Sequence, residues 1–355
     1  MINVCAKAGR IDQAEAMLER FTSFSTPSTT DSEGIEEDIP SVRTWNILLS
    51  SCTVKGDVNK AKHFWQRMSK HGIEPDIVSY NTLLNCYARS SKIQNRKEKL
   101  NYQKVVTSII HRLRHDPNVT PNHITYLAIV NFWINQGLPT RAESFLLDMT
   151  IASQQPIQNK VKNTPYKKIP APNRSLFHYV MGDYKAPKKA EQLLLKMAEL
   201  SDDRGFDIRP NTETYNILLN CWAKSMKAES GERAEVILRE MEGLGHLGDV
   251  EATPNISTYN IVLNAWSNSG NAAAALTRID KLIFEMILKG NPSLMPDSAS
   301  YGTWLKAITL SKESDKKRRV EDVVKTMKIH DYKPSSYISQ RIQEMLSTEP
   351  VNCSD

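Results

Sequence analysis

The sequence has little of what marks stapled, metal-holding or membrane-embedded proteins. Among 355 residues there are five cysteines, Cys5, Cys52, Cys86, Cys221 and Cys353, and no Cys-x-x-Cys. That spacing excludes a zinc ribbon and a dithiol redox pair. Cys52, Cys86 and Cys221 fall on or beside apolar stripes, where cysteine serves as a small buried residue in a reducing compartment. No apolar run approaches the roughly 18 residues of a membrane span, so no contact with a membrane is expected. His111 and His115 stand four apart, but Arg112 and Arg114 surround them and no Glu-x-x-His follows, so no metal site is expected. Nor is there a strong excess of one charge. Lys and Arg number 46 against 40 Asp and Glu, for a net charge of +6, which permits a polyanionic partner without demanding one.

What the sequence has instead is one phrase, repeated. A proline is followed five residues later by an aromatic at Pro40/Trp45, Pro75/Tyr80, Pro121/Tyr126, Pro172/Phe177, Pro210/Tyr215, Pro254/Tyr259 and Pro296/Tyr301. A recurrence at near-fixed period outranks the length prior of about two domains, because a repeat array grows without a second core. Apolar residues follow each aromatic at steps of three, four and seven. Examples are Leu83, Leu84 and Tyr87 after Tyr80, and Val262, Leu263 and Trp266 after Tyr259. This is one face of an α-helix. The proline lies just ahead of the helix, where its fixed φ does no harm. Thr44, Ser79, Thr125, Thr214 and Thr258 offer hydroxyls to cap the helix starts.

Taken in order, residues 1–21 read as an incomplete repeat. The chain begins inside a hairpin, as a truncated gene model or a fragment would, and no basic leader follows Met1. Residues 22–41 form an acidic Ser/Thr/Pro-rich insertion with too few apolar groups to offset ordering entropy. Seven repeats are expected at 42–76, 77–122, 123–173, 174–211, 212–255, 256–297 and 298–335. The second carries extra length near 92–104, the fourth a shortened first helix, and a basic linker occupies 150–171. Residues 336–355 supply a capping helix and tail, which a repeat array needs at its end. The basic stretches 92–104, 160–174 and 312–319 could meet phosphate, though such a stretch is more often solvated surface.

The phrase Pro75-Asp76-Ile77-Val78-Ser79-Tyr80-Asn81, the Lys7-Ala8-Gly9-Arg10 turn and the 35-residue unit resemble the pentatricopeptide repeat family. The tetratricopeptide repeat is a poorer match, since its Trp-x-x-Leu-Gly-x-x-Tyr phrase does not recur. The resemblance implies an all-α fold, a right-handed α-solenoid of helix-turn-helix repeats, binding single-stranded RNA with one base per repeat. It implies that two residues read each base: the one after the first-helix aromatic, and the one after the next proline. These pairs are Asn46 with Asp76, Asn81 with Asn122, Leu127 with Asn173, His178 with Asn211, Asn216 with Asn255, Asn260 with Asp297, and Gly302 with Ser335. Leu127, His178 and Gly302 depart from the family code, which leaves three repeats unassigned. Val78 and Ile124 fit the aliphatic position that sandwiches a base, whereas Arg43, Ser175, Glu213, Ser257 and Ala299 do not. By the family code the preferred RNA is U-Y-N-N-Y-U-N, with Y a pyrimidine and N unassigned.

The residues themselves are compatible with this. Asn is a mediocre helix former, yet it recurs one step from a buried aromatic, and an amide both donates and accepts, as a base edge requires. Structural amides that bond between neighbouring repeats are the alternative. No catalytic role or cofactor is expected. The His-x-Glu and Cys-x-x-Cys of a zinc deaminase are missing, and no room is left for a metallonuclease domain. The expectation is a non-enzymatic, monomeric RNA-binding protein of mitochondrion or plastid, with organellar RNA-processing proteins or a ribosome as further partners. A protein-binding scaffold and a piece of a nuclease are the rivals.

Overall fold

A computed structural model describes residues 11–23, 41–90, 96–116, 118–154, 171–311 and 315–347. Among these residues there are helices and short connections and no strand. The chain divides into two compact units, Met1–Val180 and Met181–Asp355. Each is an α-solenoid segment in which first helices pack on first helices and second helices back them.

In the first unit α1 spans Ile11–Ser23, α2 Val42–Lys55, α3 Val58–Lys70, α4 Ile77–Arg89, α5 Arg96–His115, α6 His123–Asn135 and α7 Pro139–Gln154. Helix α8, Arg174–Gly182, is the shortened first helix expected in the fourth repeat; the division between units falls within it. In the second unit α9 spans Pro187–Arg204, α10 Thr212–Ser225, α11 Ser230–His246, α12 Ile256–Ser267, α13 Ala272–Leu288, α14 Ser298–Leu310, α15 Lys316–Ile329 and α16 Ser336–Ser347. The first helices α2, α4 and α6 neighbour one another in series, as do α10, α12 and α14, with α16 against α14.

The stripes account for this arrangement. Every stripe residue of the seven first helices is buried, from Trp45, Leu48, Leu49 and Cys52 to Tyr301, Trp304, Leu305 and Ile308. In the second helices Phe64, Met68, Leu146, Met149, Leu238, Met241, Ile283 and Met286 close the same layer. Burying one such side chain contributes about 1.5–3 kcal/mol. The buried cysteines match the sequence expectation. Burial pushes the Cys52 and Cys221 thiols up to about 11 and that of Cys86 to about 12, so none is a ready nucleophile. Gly72 follows the C-cap of α3 with φ +70°, a left-handed turn that a side chain would strain.

Some boundaries differ from expectation. The extra length of the second repeat goes into its second helix, since α5 runs for 20 residues. Helix α7 reaches Gln154, so the first residues of the 150–171 linker are helical. Residues 1–10, 24–40, 155–170 and 348–355 lie outside the described residues, and with them most of the acidic insertion, most of the linker and the tail.

Second helices of the second unit are stitched through tryptophans. The Trp222 indole N–H donates to Glu191 Oε1 at 2.8 Å, and Arg233 Nε donates to the same oxygen at 2.8 Å. Trp266 donates to Glu235 at 3.2 Å. Trp304 donates to Asp280 at 2.6 Å, and Arg319 also pairs with that carboxylate. A buried indole needs such an acceptor, and with Arg278 3.7 Å from Glu235 each carboxylate ties one repeat to the next.

Trp266 also sets a close approach. A Cβ built on Gly231 of α11 would lie 2.4 Å from Trp266 Cδ2 and 2.5 Å from Cε3. Gly243, on the same helix, has nothing within 4 Å of that position. Gly231→Ala should therefore destabilise the protein by about 1–3 kcal/mol through overpacking. Gly243→Ala should be neutral or stabilise by up to roughly 1 kcal/mol through helix propensity. Chemical denaturation of the two variants distinguishes these effects; equal stabilities would contradict the packing described.

Candidate functional site

The residues expected to read bases lie where one repeat meets the next, and the helix starts put them there. A helix leaves its first N–H groups without partners. Here Asp76, Asn122, Asn211, Asn255 and Asp297 are the N-caps of α4, α6, α10, α12 and α14, each in extended backbone. Each side chain accepts from the N–H three residues on. The hydroxyl at that position, Ser79, Thr125, Thr214, Thr258 or Ser300, accepts in return from the cap N–H. These are capping boxes, with a hydroxyl in place of the usual Glu or Gln. The expectation that Ser79, Thr125, Thr214 and Thr258 are themselves the caps is thereby corrected: they stand three residues in and close the box. Thr44 is likewise not a cap; Ser41 holds that position on α2, its hydroxyl 3.4 Å from that of Thr44 and accepting from no helix N–H.

Four of these boxes, those of Asp76, Asn122, Asn255 and Asp297, reach back to the preceding repeat. Asn46 Nδ2 donates to Asp76 Oδ1 at 3.0 Å, and Ser79 Oγ donates to Asn46 Oδ1 at 2.6 Å. Asn260 Nδ2 donates to Asp297 Oδ1 at 3.1 Å, and Ser300 Oγ donates to Asn260 Oδ1 at 2.6 Å. Asn216 and Asn255 are joined through Thr258, whose hydroxyl lies 2.8 Å from Asn216 Oδ1 and 3.1 Å from Asn255 Oδ1. Asn81 Nδ2 approaches Asn122 Oδ1 at 3.5 Å. The Asn81 amide oxygen is buried and has no partner among the described residues. The structure thus brings four expected pairs together, and it realises the amide bonding between repeats that the sequence left as an alternative. The hydroxyl that links three of these pairs, from Ser79, Thr258 or Ser300, was missed as a site residue. Its signal was the Ser or Thr immediately before the aromatic of the repeated phrase.

At the other three positions Leu127, His178 and Gly302 supply no amide. Leu127 is exposed and offers no polar group. Asn173 caps α8 through a 3.1 Å bond from the Leu176 N–H. His178 is half-buried, Asn211 closes its own capping box, and Gly302 has no side chain. The Ser335 hydroxyl instead meets that of Ser298 at 3.2 Å. Val78 and Ile124 are exposed on their first helices, as the sandwiching position requires. The basic stretches at 92–104 and 312–319 are described only in part.

Polar capacity remains at each joined pair. Among the described residues, one amide proton of Asn46 and one of Asn260 have no acceptor. All the hydrogen bonds that Asp297 accepts fall on Oδ1, which leaves Oδ2 for a ligand. Burial alone would raise the Asp76 carboxyl. Hydrogen bonds from the Ser79 N–H and the Asn46 amide outweigh that effect and hold it below the usual carboxylate range. Among the described residues no group of His, Cys, Asp and Glu could hold a metal ion, and no helix is long and apolar enough to cross a membrane.

A carboxyl depressed in the folded state contributes stability above its unfolded pKa and loses it as pH falls through the folded value. The wild type should therefore exceed Asp76→Asn in stability above about pH 4, and the gap should close on acidification. Thermal melts of both proteins from neutral pH to pH 2.5 measure it. A gap that stays constant would show that the charge is not what the site uses.

Comparison with known proteins finds the same kind of repeat. A PPR repeat family model matches residues 40–89, a pentatricopeptide repeat domain model residues 199–269, and a PPR repeat model residues 1–25. A chloroplastic pentatricopeptide repeat-containing protein of Arabidopsis thaliana is 27% identical over 129 residues, covering 36% of this chain and 14% of that protein. A second Arabidopsis thaliana pentatricopeptide repeat-containing protein is 24% identical over 161 residues, covering 45% of this chain and 23% of its own length. The matches thus span under a quarter of these relatives. Among solved structures, the pentatricopeptide repeat protein PPR10 in complex with an 18-nucleotide psaJ RNA element is similar in fold. Its TM-score is 0.50 at 20% identity, over 97% of this chain and 42% of that one.

Proposed function

We propose that this chain, which belongs to the pentatricopeptide repeat family, binds single-stranded RNA through the paired residues at its repeat junctions. One observation carries the reading. At four junctions a first-helix Asn is held by hydrogen bonds against the next repeat's N-cap Asp or Asn, directly or through the box hydroxyl, with donors and acceptors left over. A preorganised amide can match the edge of an unpaired base, and single strands are where proteins read RNA sequence. The orphaned Asn81 oxygen supports it further, because a buried unpaired carbonyl costs about 1–3 kcal/mol, a cost that a ligand donor would remove.

In chain order, Asn46 with Asp76 and Asn260 with Asp297 take uracil, and Asn81 with Asn122 and Asn216 with Asn255 take a pyrimidine. The junctions with Leu127, His178 and Gly302 are unassigned, which gives U-Y-N-N-Y-U-N. Asn173, Asn211 and Ser335 are the second members there. Binding of this kind acts by masking or presenting a transcript and needs no catalysis by the chain itself. A place in a mitochondrion or plastid accords with the names of its relatives, two chloroplastic and one mitochondrial. Organellar RNA-processing proteins or a ribosome are the partners this role implies.

Selection from a randomised RNA pool at one stated salt concentration tests the proposal. Asn260→Thr, beside Asp297, should move the preference at the sixth base from U towards G. The change should be worth about 1–3 kcal/mol at that base, as base readout is elsewhere. Identical pools from wild type and variant would make Asn260 a purely structural residue.

A further inference from the structure

Repeat 123–173 has lost its reading residue and gained something else. On α6, Ile124, Leu127 and Asn131 lie at steps of three and four, hence on one face. Ile124 is 59% and Leu127 40% exposed. The next first helix, α8, adds Tyr179, which is 42% exposed and donates its hydroxyl to Asn131 Oδ1 at 2.7 Å. All four residues belong to the first unit.

Tyr179 is not the aromatic that the repeat requires, since Phe177 fills that role and is fully buried. It stands two residues further on, where the other repeats have Ile47, Thr82, Ala128, Ile217, Ile261 and Thr303. A ring at this position is therefore peculiar to one repeat, and packing does not demand it. Its hydroxyl is tethered to the neighbouring first helix, on the same face as the reading position. The ring is thus held in place before any ligand arrives, which lowers the ordering cost of binding. Leu127 beside it cannot hydrogen-bond a base edge but can cover a base face.

We propose that Tyr179, with Ile124 and Leu127, forms a stacking platform that takes one nucleobase of single-stranded RNA without reading its identity. This rests on the RNA-binding role proposed above. Every base has a π-face, so stacking on an aromatic supplies affinity and tolerates any sequence. The platform explains why the third position can lose its code and still hold the strand in register between the second and fifth bases.

The test uses the whole chain and a seven-nucleotide RNA of the form U-C-x-A-U-U-A, with 2-aminopurine at the third position. A second oligonucleotide carries the probe at the seventh. Binding to the wild type should quench the third-position probe. Tyr179→Leu, an exposed change that circular dichroism should find folded, should abolish that quenching. It should also weaken binding about tenfold, within the range of base–aromatic stacking. Tyr179→Phe keeps the ring and should retain most of the quenching. The seventh-position probe should respond alike in all three proteins. If Tyr179→Leu binds as the wild type does, or the third-position probe stays bright in the complex, the platform is overturned while RNA binding stands. If the wild type binds neither oligonucleotide, both proposals fail.

Discussion

The capping box between repeats is the constraint on which the rest depends. A first helix starts with unpaired N–H groups, and Asp or Asn at the N-cap satisfies them. At Asp76 and Asp297 the same side chain then meets the amide of the preceding first helix, and the Ser that closes the box meets that amide's other end. One short segment therefore starts a helix, joins it to its neighbour and orients a pair of polar groups. A residue serving all three cannot be exchanged for its effect on one alone. Changing a reading residue also changes a helix cap or an inter-repeat bond, so altered base preference and altered stability are linked in this protein.

The backing layer works differently. In the second unit, carboxylates on second helices accept from buried indoles and pair with arginines of the following repeat. Around Tyr259 the phenol donates to Glu242 at 2.5 Å, and Lys289 and Arg239 pair with the same carboxylate. Burial, and then the bond to Glu242, push the Tyr259 hydroxyl up to about 12. These bonds fix how second helices sit on the stripe, while the capping boxes fix how first helices follow one another. Polar groups at the two kinds of junction thus define register, and the apolar stripe supplies the favourable burial.

Much of this was legible in the sequence because the helical period repeats. Each of the seven aromatics and its followers at steps of three, four and seven is buried, since a stripe that narrow can only face a core. The pairing of Asn46 with Asp76 and of Asn260 with Asp297 was legible only through family resemblance, because contact across 30 or 37 residues leaves no local periodicity. The cap was misplaced by three residues. Both Ser79 and Asp76 are good capping types, and only backbone geometry shows which one stands outside the helix. Tyr179 was invisible for the opposite reason. Its significance comes from an exposed ring anchored to Asn131, 48 residues away, and a lone Tyr on a helix carries no such signal.

The central claim is that a reading amide and the next repeat's capping box are one coupled unit. A double-mutant cycle on Asn260→Ala and Ser300→Ala tests it most directly, read by equilibrium unfolding. Residues sharing a hydrogen-bond network show interaction energies of about 0.5–3 kcal/mol. The account predicts a coupling in that range, with the double variant less destabilised than the sum of the two singles. Strict additivity would mean that the Asn260 amide and the Ser300 hydroxyl act independently, and would contradict it.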